Sequence, residues 1–357
     1  MRADEPLLAD AARFAPVREV IAGGLASRAY PAAVIEVGRR RMPWWREAFG
    51  RLTFDDGSPA CGVDTIFDLA SLTKVIATTS IAMGQVRDGA IALDTLLADR
   101  LSWWRGADRA RVTVRQLLDH SSGLPAHARL WERARGRAEV ERALAALPLD
   151  RAPGVRSVYS DLGFILLGFA LEDSVGAPLD RQLADLDARW GTGVRYLPPA
   201  EWRHRTAPTE VDGWRGRVLQ GEVHDENAAA LGGVAGHAGL FGTAAGVGTF
   251  ARLVLETFQA PTALGSPDEI ARFTTRSGVP ASSRALGWDT MLPTSSCGAR
   301  LSPRAFGHTG FTGTSLWIDP VNDVYVAWLT NRVHPTRAND ALVALRPRVH
   351  DAVMSVI

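Results

Sequence analysis

Apolar and polar positions alternate in short runs near both ends of the chain. Residues 31–38 and 45–52 predict two strands joined by a short turn, and therefore a hairpin. Two further strands are predicted toward the C-terminus, at residues 313–319 and 324–331. Because these strand patterns lie at opposite ends of the chain, we expect the two ends to meet in one sheet.

Helical spacing of apolar positions dominates the region between the strands and recurs at both termini. The segments with this pattern are residues 5–22, 71–86, 114–119, 132–147, 162–172, 244–258 and 339–353. Segments 71–86 and 162–172 are apolar on nearly every side, so we expect both helices in the interior.

This order of elements predicts an α+β fold, with an antiparallel sheet flanked by helices and an inserted helical domain. The sheet domain is expected to be discontinuous and to comprise residues 1–65 and 240–357. The mainly helical domain is expected at residues 66–239. Pockets form where two such units meet, so the active site is expected at their junction.

Composition and charge narrow the class of protein. The chain is 46% apolar and 22% charged with a net charge of +1, so it has no electrostatic footprint for nucleic acid or an anionic membrane. It has no apolar run of about 18 residues, and no membrane span is predicted. Acidic residues interrupt the N-terminal region where a secretory signal would be apolar, so the sequence as written predicts a cytoplasmic protein. A different start would leave a periplasmic or secreted location open.

Few residues suit a metal or a disulfide. Cys61 and Cys297 are the only cysteines, and we expect two free thiols, since their pairing cannot be deduced from sequence. Two cysteines are too few for the common structural zinc sites. His224, Asp225 and Glu226 have no second ligand pair at helical spacing. We therefore expect neither a metal nor a cofactor.

The chemistry centres on one lysine. Lys74 is the only lysine in the chain, and the other 39 of its 40 basic residues are arginines. Ser71 lies three positions earlier, so on a helix the two side chains share a face. A partly buried ammonium can lose its proton and act as a base, whereas a guanidinium stays charged. This spacing is a short pattern, and it predicts a serine nucleophile only if other motifs support it.

Three further segments supply such motifs. Residues 159–161 (YSD) begin the interior helix, residues 117–125 (LLDHSSGLP) form a helix end and turn, and residues 308–310 (HTG) precede a strand. Competing catalytic motifs are absent: no serine lies in G-x-S-x-G, the lysine is not in a Walker A loop, and no dinucleotide-binding glycine motif follows a strand.

Taken together, these motifs make the chain resemble the serine β-lactamase and penicillin-binding-protein superfamily. It is most similar to the class C β-lactamase-like hydrolases and the penicillin-binding protein 4B-type enzymes. The resemblance covers nearly the whole chain and rests on FDLASLTK, LLDHSSGLP, YSDLGF and GHTGFTGTS, which occur in the family's order. VHDENA and GGVAGHAGLF resemble the 4B-type branch. The resemblance implies a β-lactamase/transpeptidase-like fold.

The resemblance also implies roles for particular residues. Ser71 would be the nucleophile that forms an acyl-enzyme, Lys74 would accept or relay its proton, and Tyr159 would be the second base or the acid for the leaving group. His308, Thr309 and Gly310 would line the strand against which the substrate lies. The backbone N–H groups of Ser71 and Phe311 would form the oxyanion hole.

Two positions depart from the family's pattern. His308 stands where the family often has lysine, and a neutral imidazole, which titrates near pH ~6.5 when unperturbed, holds a substrate carboxylate poorly. Recognition of a carboxylate would then pass to an arginine, and we expect a rate transition near the pKa of His308. Asp161 stands where β-lactamases usually have asparagine; it cannot donate when ionised, and near Lys74 it would keep the ammonium charged.

The sequence thus predicts a serine hydrolase acting on an ester, a D-amino-acid peptide or a β-lactam-type substrate, with esters cleaved fastest. The alternative is a catalytically silent module that binds peptidoglycan-type ligands through the same cleft. Small molecules or peptides are the expected partners, and the oligomeric state is open. His120 is expected to fasten the turn at residues 117–125.

Overall fold

The computed structural model describes residues 12–357. The predicted helix at residues 5–22 therefore starts outside the described residues, and its described part belongs to helix α1 (Ala15–Ala26). The other helices, in chain order, are α2 (Ser80–Arg87), α3 (Leu97–Arg100), α4 (Val114–Leu118), α5 (Gly136–Ala146), α6 (Asp161–Val175), α7 (Leu179–Trp190), α8 (Glu226–Ala230), α9 (Ala244–Thr257), α10 (Pro267–Thr274) and α11 (Leu342–Met354). A π-helical segment spans Lys74–Thr79, and 3₁₀ segments span Leu130–Glu132 and Ala200–Arg205.

The strands form one large sheet and two small ones. In chain order they are β1 (Ala32–Arg39), β2 (Met42–Gly50), β3 (Phe67–Asp68), β4 (Arg195–Tyr196), β5 (Val211–Asp212), β6 (Arg217–Val218), β7 (Leu240–Gly242), β8 (Asp289–Thr290), β9 (Phe306–Thr309), β10 (Ser315–Asp319) and β11 (Val324–Thr330). The large sheet has the order β2-β1-β11-β10-β9-β8, with all neighbours antiparallel. The strands near the two ends of the chain therefore lie side by side, with Val34 opposite Leu329.

The large sheet is covered by helices on both faces, and successive side chains of β11 enter two separate cores. Val324, Val326 and Trp328 pack with residues of α1 and α11. Tyr325, Ala327 and Leu329 pack with residues of α9 on the other face. Such alternation follows from the two-residue period of a strand, and burial on both faces explains why β11 is apolar throughout.

The predicted α+β fold class, an antiparallel sheet with flanking helices, is confirmed. The residues between the strands are not purely helical, since β3, β7 and β4 form a three-stranded sheet and β5 pairs with β6. The division into domains at residues 1–65 with 240–357 and at 66–239 stays a prediction. Within residues 12–357 no single helix is long and apolar enough to cross a membrane. Helices α6 and α7 have the necessary length and hydropathy only when they are taken together as a bent pair.

Several local predictions need correction. The helix predicted at residues 71–86 starts as the π-helical segment before it becomes α2. Strand β2 begins at Met42 rather than at residue 45, because its pairing with β1 continues past an irregularity at Val37–Gly38. Two of the longer helices were missed: α7, whose buried face is carried by few apolar residues, and α10, despite its N-terminal proline and its Ser266–Glu269 capping box.

Candidate active site

Ser71 lies at the end of a strained turn that follows β3. Ala70 immediately before it has φ +46, a left-handed conformation that costs a non-glycine residue roughly 1–2 kcal/mol. The N–H of Ala70 donates to Asp68 Oδ1 at 2.8 Å, which helps to hold that turn. Ser71 faces a cavity of about 820 Å³, and the π-helical segment carrying Lys74 starts three residues later.

The Lys74 ammonium is fully buried and meets three oxygen atoms. Its Nζ lies 2.9 Å from Ser71 Oγ, 2.9 Å from the carbonyl oxygen of His237 and 2.7 Å from Asp161 Oδ1. Burial alone would lower the pKa of Lys74, but electrostatic interactions with Asp161 and Tyr159 and hydrogen bonds to both together outweigh it and raise this pKa above its usual value. The expected Ser71–Lys74 proximity is therefore present, with a lysine that is held in its charged form.

The His237 carbonyl reaches Lys74 because the glycine-rich loop before β7 packs directly on helix α6. A Cβ atom added at Gly236 would lie 2.1 Å from the carbonyl oxygen of Phe164, so only glycine permits this approach. The His237 ring is also buried, and its Nε2 lies 2.7 Å from Asp225 Oδ1. Sequence reasoning had left both His237 and Asp225 out of the site.

Asp161 is the first residue of α6, a helix that Ser160 caps by accepting the N–H of Gly163. The side chain is 21% exposed, and its second oxygen lies 3.8 Å from His127 Nδ1. Burial favours the neutral acid, but the Lys74 charge, together with the His127 hydrogen bond and the His237 charge, prevails and holds the pKa of Asp161 well below its usual range. The helix N-terminus favours the same negative charge. Asp161 is thus an ionised acceptor in the cavity wall.

Tyr159 stands among cationic and imidazole groups at the base of the cavity. Its ring centroid lies 5.0 Å from Lys74 Nζ, 4.9 Å from the guanidinium carbon of Arg284 and 4.7 Å from the His120 ring. Burial raises the pKa of Tyr159, while the Lys74 charge and hydrogen bonding to Lys74 and Ser71 act in the opposite direction. Lys74 and Tyr159 therefore both carry their protons in the resting site.

His120 fastens the adjoining turn as predicted. It has φ +60 just after α4, its Nδ1 accepts the N–H of Ser160 at 3.1 Å, and its carbonyl accepts the N–H of Val158 at 2.8 Å. These bonds flank Tyr159 on both sides along the chain. The turn therefore sets where the Tyr159 ring enters the cavity.

His308 and Thr309 lie at an open edge of the large sheet. Strand β8 pairs only with Phe306 and Gly307, so the strand edge beyond them borders the cavity. His308 is 2% exposed, and its Nδ1 lies 2.8 Å from the Thr309 carbonyl, which can only accept a hydrogen bond. Nδ1 therefore carries the hydrogen, and Nε2, which has no partner in the described part of the chain, is an acceptor.

The rate transition predicted at the pKa of His308 is expected well below the pH ~6.5 of an unperturbed imidazole. Burial, together with the charges of Arg284 and Lys74, lowers the pKa of His308 well below its usual value. The imidazole is therefore neutral at pH 7 and presents no positive charge to a substrate carboxylate.

Ser71 and Phe311 have backbone N–H groups without an acceptor among residues 12–357, and both residues line the cavity. Gly310, between Thr309 and Phe311, packs against the turn before the serine: a Cβ atom there would lie 2.7 Å from the Leu69 carbonyl oxygen. The turn after β9 and the turn before Ser71 are thus in direct contact. This arrangement fits the predicted oxyanion hole, whose role stays a prediction.

The structure adds arginines that sequence reasoning did not single out. Arg284 and Arg346 line the same cavity as Ser71. Arg346, on α11, is only 9% exposed, and its Nε has no hydrogen-bond partner in the described chain. Burial and the nearby Arg332 charge lower its pKa to about 10, and no carboxylate contributes to that shift. Arg346 is therefore a cation without a counter-ion inside the cavity wall.

The cysteines and the residues considered for a metal site take no direct part in this chemistry. Cys61 and Cys297 are both buried free thiols, as expected, and burial raises their pKa values to about 11 and about 12. Among residues 12–357 no group of three or more His, Cys, Asp and Glu side chains is arranged to hold a metal ion. His224 instead pairs through Nε2 with Glu210 at 2.9 Å.

Comparison with known proteins places this arrangement in a family. The family described as Beta-lactamase matches residues 17–347, nearly the whole chain. The chain belongs to the β-lactamase family. The resemblance seen in its motifs is therefore confirmed, and the chain is a β-lactamase-family hydrolase.

Relatives within the β-lactamase family and solved structures agree with this assignment. The chain is 30% identical over 348 residues to a protein of Escherichia coli (strain K12) named "Putative D-alanyl-D-alanine carboxypeptidase", covering 85% of this chain and 79% of that protein. A penicillin-binding protein homologue from Caulobacter crescentus superposes with a TM-score of 0.74 at 21% identity, covering 97% and 98% of the two chains. The hydrolase EstCE1 gives 0.74 at 18% identity, covering 96% and 100%. At these identities the two structures support the fold alone.

Proposed function

We propose that this β-lactamase-family chain is a serine hydrolase that forms an acyl-enzyme on Ser71 and cleaves ester or amide bonds. One observation carries the proposal: Ser71 Oγ lies 2.9 Å from the Nζ of a buried Lys74, whose charge Asp161 maintains at 2.7 Å. A hydroxyl at the edge of a cavity, beside a fixed cation and a phenol, has the partners that nucleophilic catalysis needs.

The resting site holds one proton more than acylation requires, because Lys74 and Tyr159 are both protonated. We infer that Tyr159 first loses its proton to solvent and then takes the proton of Ser71 as Oγ bonds to the substrate carbonyl carbon. Tyr159 returns that proton to the departing alcohol or amine. In deacylation Tyr159 takes a proton from water, and Ser71 recovers it when the acyl bond breaks.

Lys74 acts in this scheme as an electrostatic anchor for Tyr159. Its positive charge stabilises the tyrosinate in a buried site, where charge interactions are stronger than in water. Arginine could not replace it, because a compact ammonium on a flexible stem reaches the Ser71, His237 and Asp161 oxygens together. The developing oxyanion would be bound by the free N–H groups of Ser71 and Phe311.

Between simple esters and β-lactams, we expect this site to favour esters. An ionised Asp161 can only accept hydrogen bonds, so it cannot donate to the acyl-amide carbonyl of a β-lactam side chain. An ester also needs less help with its leaving group than an amide. We therefore expect aryl esters to react faster than the β-lactam nitrocefin.

Arg346 favours a second substrate class, peptides with a free C-terminal carboxylate. A buried guanidinium that has no acidic partner among residues 12–357 can bind a carboxylate of the substrate. Neutral His308 cannot supply that charge. The name of the Escherichia coli relative points to the same class, with a D-alanyl peptide as the substrate of that protein.

The competing proposal is a protein that binds peptidoglycan-type ligands in this cavity without turnover. A fluorescent fluorophosphonate separates the two, because it bonds only to an activated nucleophile. We expect the wild type to be labelled and Ser71→Ala to be unlabelled. No label on the wild type, or equal label on both proteins, would exclude the acyl-enzyme mechanism. Rates with p-nitrophenyl acetate, D-Ala-p-nitroanilide and nitrocefin then rank the substrate classes.

A further inference from the structure

Asp68 is a buried carboxylate without a role in the chemistry above. It lies at the end of β3, three residues before Ser71, and is 2% exposed. No basic side chain pairs with it in the described part of the chain. A charge in such a position is costly unless hydrogen bonds satisfy it, so its partners reveal what it does.

Each hydrogen bond of Asp68 leads toward one of the two proposed oxyanion donors. Oδ1 accepts the N–H of Ala70 at 2.8 Å, at the left-handed residue that precedes Ser71. The backbone carbonyl accepts Thr312 Oγ1 at 2.7 Å, at the residue that follows Phe311. Asp68 is therefore hydrogen-bonded to Ala70, which immediately precedes Ser71, and to Thr312, which immediately follows Phe311.

The third bond supports Phe311 from another side. Asp68 Oδ2 accepts the N–H of His224 at 2.7 Å, and the His224 ring stacks on the Phe311 ring at 5.7 Å between centroids. Nε2 of the same imidazole lies 2.9 Å from Glu210 Oε2. The backbone of His224 is thereby fixed where its ring packs under Phe311.

A neighbouring contact reinforces the same junction. The carbonyl of Leu69 accepts Thr314 Oγ1 at 3.0 Å, while its N–H donates to the Leu240 carbonyl of β7 at 2.8 Å. The turns that carry Ser71 and Phe311 are thus joined by two side-chain bonds to main-chain carbonyls, from Thr312 Oγ1 to Asp68 and from Thr314 Oγ1 to Leu69.

We propose that Asp68 is a positioning residue for the oxyanion hole: by bonding Ala70, His224 and Thr312 it sets the spacing and direction of the Ser71 and Phe311 N–H groups. This inference rests on the proposed acyl-enzyme chemistry. It requires that loss of one bond should weaken binding of the tetrahedral transition state while leaving binding of the planar ground state nearly intact.

Asp68→Asn tests this directly, because the isosteric amide must turn its NH₂ toward either the Ala70 or the His224 N–H and lose that bond. We expect kcat for p-nitrophenyl acetate to fall about tenfold to a hundredfold, since loss of a whole oxyanion donor costs about 10²–10³. The affinity for benzeneboronic acid, whose adduct on serine is tetrahedral, should fall in parallel. KM should stay near its wild-type value.

Asp319→Asn is the matched control. Asp319 is also a fully buried carboxylate that accepts backbone N–H groups, from Ser302 at 2.7 Å and Val321 at 3.0 Å, and it does not line the cavity. We expect it to lower the melting temperature while kcat and boronate affinity stay unchanged. If Asp68→Asn is not recovered folded, Thr312→Val removes only the bond from Thr312 Oγ1 to the Asp68 carbonyl and should give the same kcat–KM split with a smaller amplitude.

Three results would overturn the proposal: unchanged kcat in folded Asp68→Asn, a kcat loss with intact boronate affinity, or the same losses in Asp319→Asn. For Thr312→Val the contradicting result is unchanged kcat in the folded variant. Labelling of wild-type Ser71 by the fluorophosphonate is measured first. An unlabelled wild type contradicts the proposed function, whereas a labelled wild type with unaffected Asp68→Asn contradicts only the role of Asp68.

Discussion

Lys74 Nζ lies 2.7 Å from Asp161 Oδ1, and the lysine has no exposed surface. Burial opposes the charged form, but Asp161 together with Tyr159 more than offsets it, so the pKa of Lys74 is raised and the ammonium persists in the resting site. Asp161 is also the residue that departs from the asparagine usual in β-lactamases. The same carboxyl group therefore helps to keep the lysine charged and is the reason why we expect certain substrates to be poor.

Asp161→Asn should move the pH dependence of ester hydrolysis to lower pH. In the wild type the reactive form has lost the Tyr159 proton, and the pKa of Tyr159 is raised above its usual value of 10.0, so kcat/KM should still be rising at pH 10. The charge of Asp161 is one of the causes that raise the pKa of Tyr159, so without it more of the reactive tyrosinate exists at pH 8. The measurement is the pH profile of kcat/KM with p-nitrophenyl acetate.

Asp289→Asn serves as the control for that experiment, since Asp289 lines the same cavity but makes no ion pair with Lys74. Its profile should match the wild type. If kcat/KM of Asp161→Asn rises over the same alkaline pH range as kcat/KM of the wild type, the Asp161 carboxylate does not set the charge state of the site.

The same substitution should change the preference between substrates. An asparagine amide donates a hydrogen bond that an ionised aspartate cannot. We expect the ratio of the nitrocefin rate to the ester rate to rise in Asp161→Asn, from a value below one in the wild type. Steady-state rates on both substrates at pH 7.5 measure this. A wild-type enzyme faster on nitrocefin than on the ester would refute the argument from Asp161.

His308 should contribute no rate transition near pH 6.5. Its pKa lies well below that value because of burial and the Arg284 charge, so the imidazole stays neutral between pH 6 and 7.5. His308→Asn replaces one neutral group by another and should leave the shape of the kcat/KM profile in this range unchanged. A wild-type step of one proton near pH 6.5 that vanishes in the variant would restore the role expected from sequence.

Arg346→Gln should impair only substrates with a free carboxylate. Loss of a charge-assisted hydrogen bond costs about 1.5–3 kcal/mol, or roughly a tenfold to hundredfold rise in KM for a peptide ending in D-Ala. The C-terminally amidated peptide and the neutral ester should be unaffected. Arg109→Gln is the control, because Arg109 is equally buried but caps α5 through the Leu144, Ala145 and Leu147 carbonyls. Equal effects on amidated and free peptides would reject this carboxylate site.

His350 should make the folded protein less stable in mild acid. Its ring is fully buried, neither nitrogen has a partner in the described chain, and burial with the Arg346 charge lowers its pKa to about 3. The unfolded chain binds a proton near pH 6.5 that the folded chain does not, so acid favours unfolding as the pH falls below 6.5. Between pH 7 and 5 this costs about 2 kcal/mol.

His350→Leu should remove this loss of stability in acid. Between pH 7 and pH 5, the free energy of unfolding measured in urea should therefore fall about 2 kcal/mol less in the variant than in the wild type. His204 provides the comparison, since it lies on the surface segment Ala200–Arg205, which has no buried residue. His204→Leu should leave the pH slope unchanged. Parallel slopes for wild type and His350→Leu would contradict the buried, neutral histidine.

Local spacing predicted the Ser71–Lys74 contact, because the two residues lie three positions apart where a helical segment begins. The place of Tyr159 in the site came from the family resemblance, since the YSD segment leads into α6 but its contact with Lys74 is long-range. The predicted contact of Asp161 with Lys74 is present as an ion pair. His237, Arg284 and Arg346 could not be predicted in the same way. They reach the cavity only through the packing of a glycine-rich loop, an irregular segment and α11, and no periodicity in sequence encodes those long-range contacts.

The most direct test of the acyl-enzyme is the mass of a peptide. Trypsin cleaves after Arg51 and Lys74, so residues 52–74 form one peptide that contains Ser58 and Ser71. The wild type should be mixed with p-nitrophenyl acetate at pH 8, quenched in acid during turnover and digested. We predict an added acetyl group on this peptide, assigned by fragmentation to Ser71 and absent from Ser71→Ala. Ester turnover by the wild type with no adduct on Ser71 would contradict the proposed mechanism.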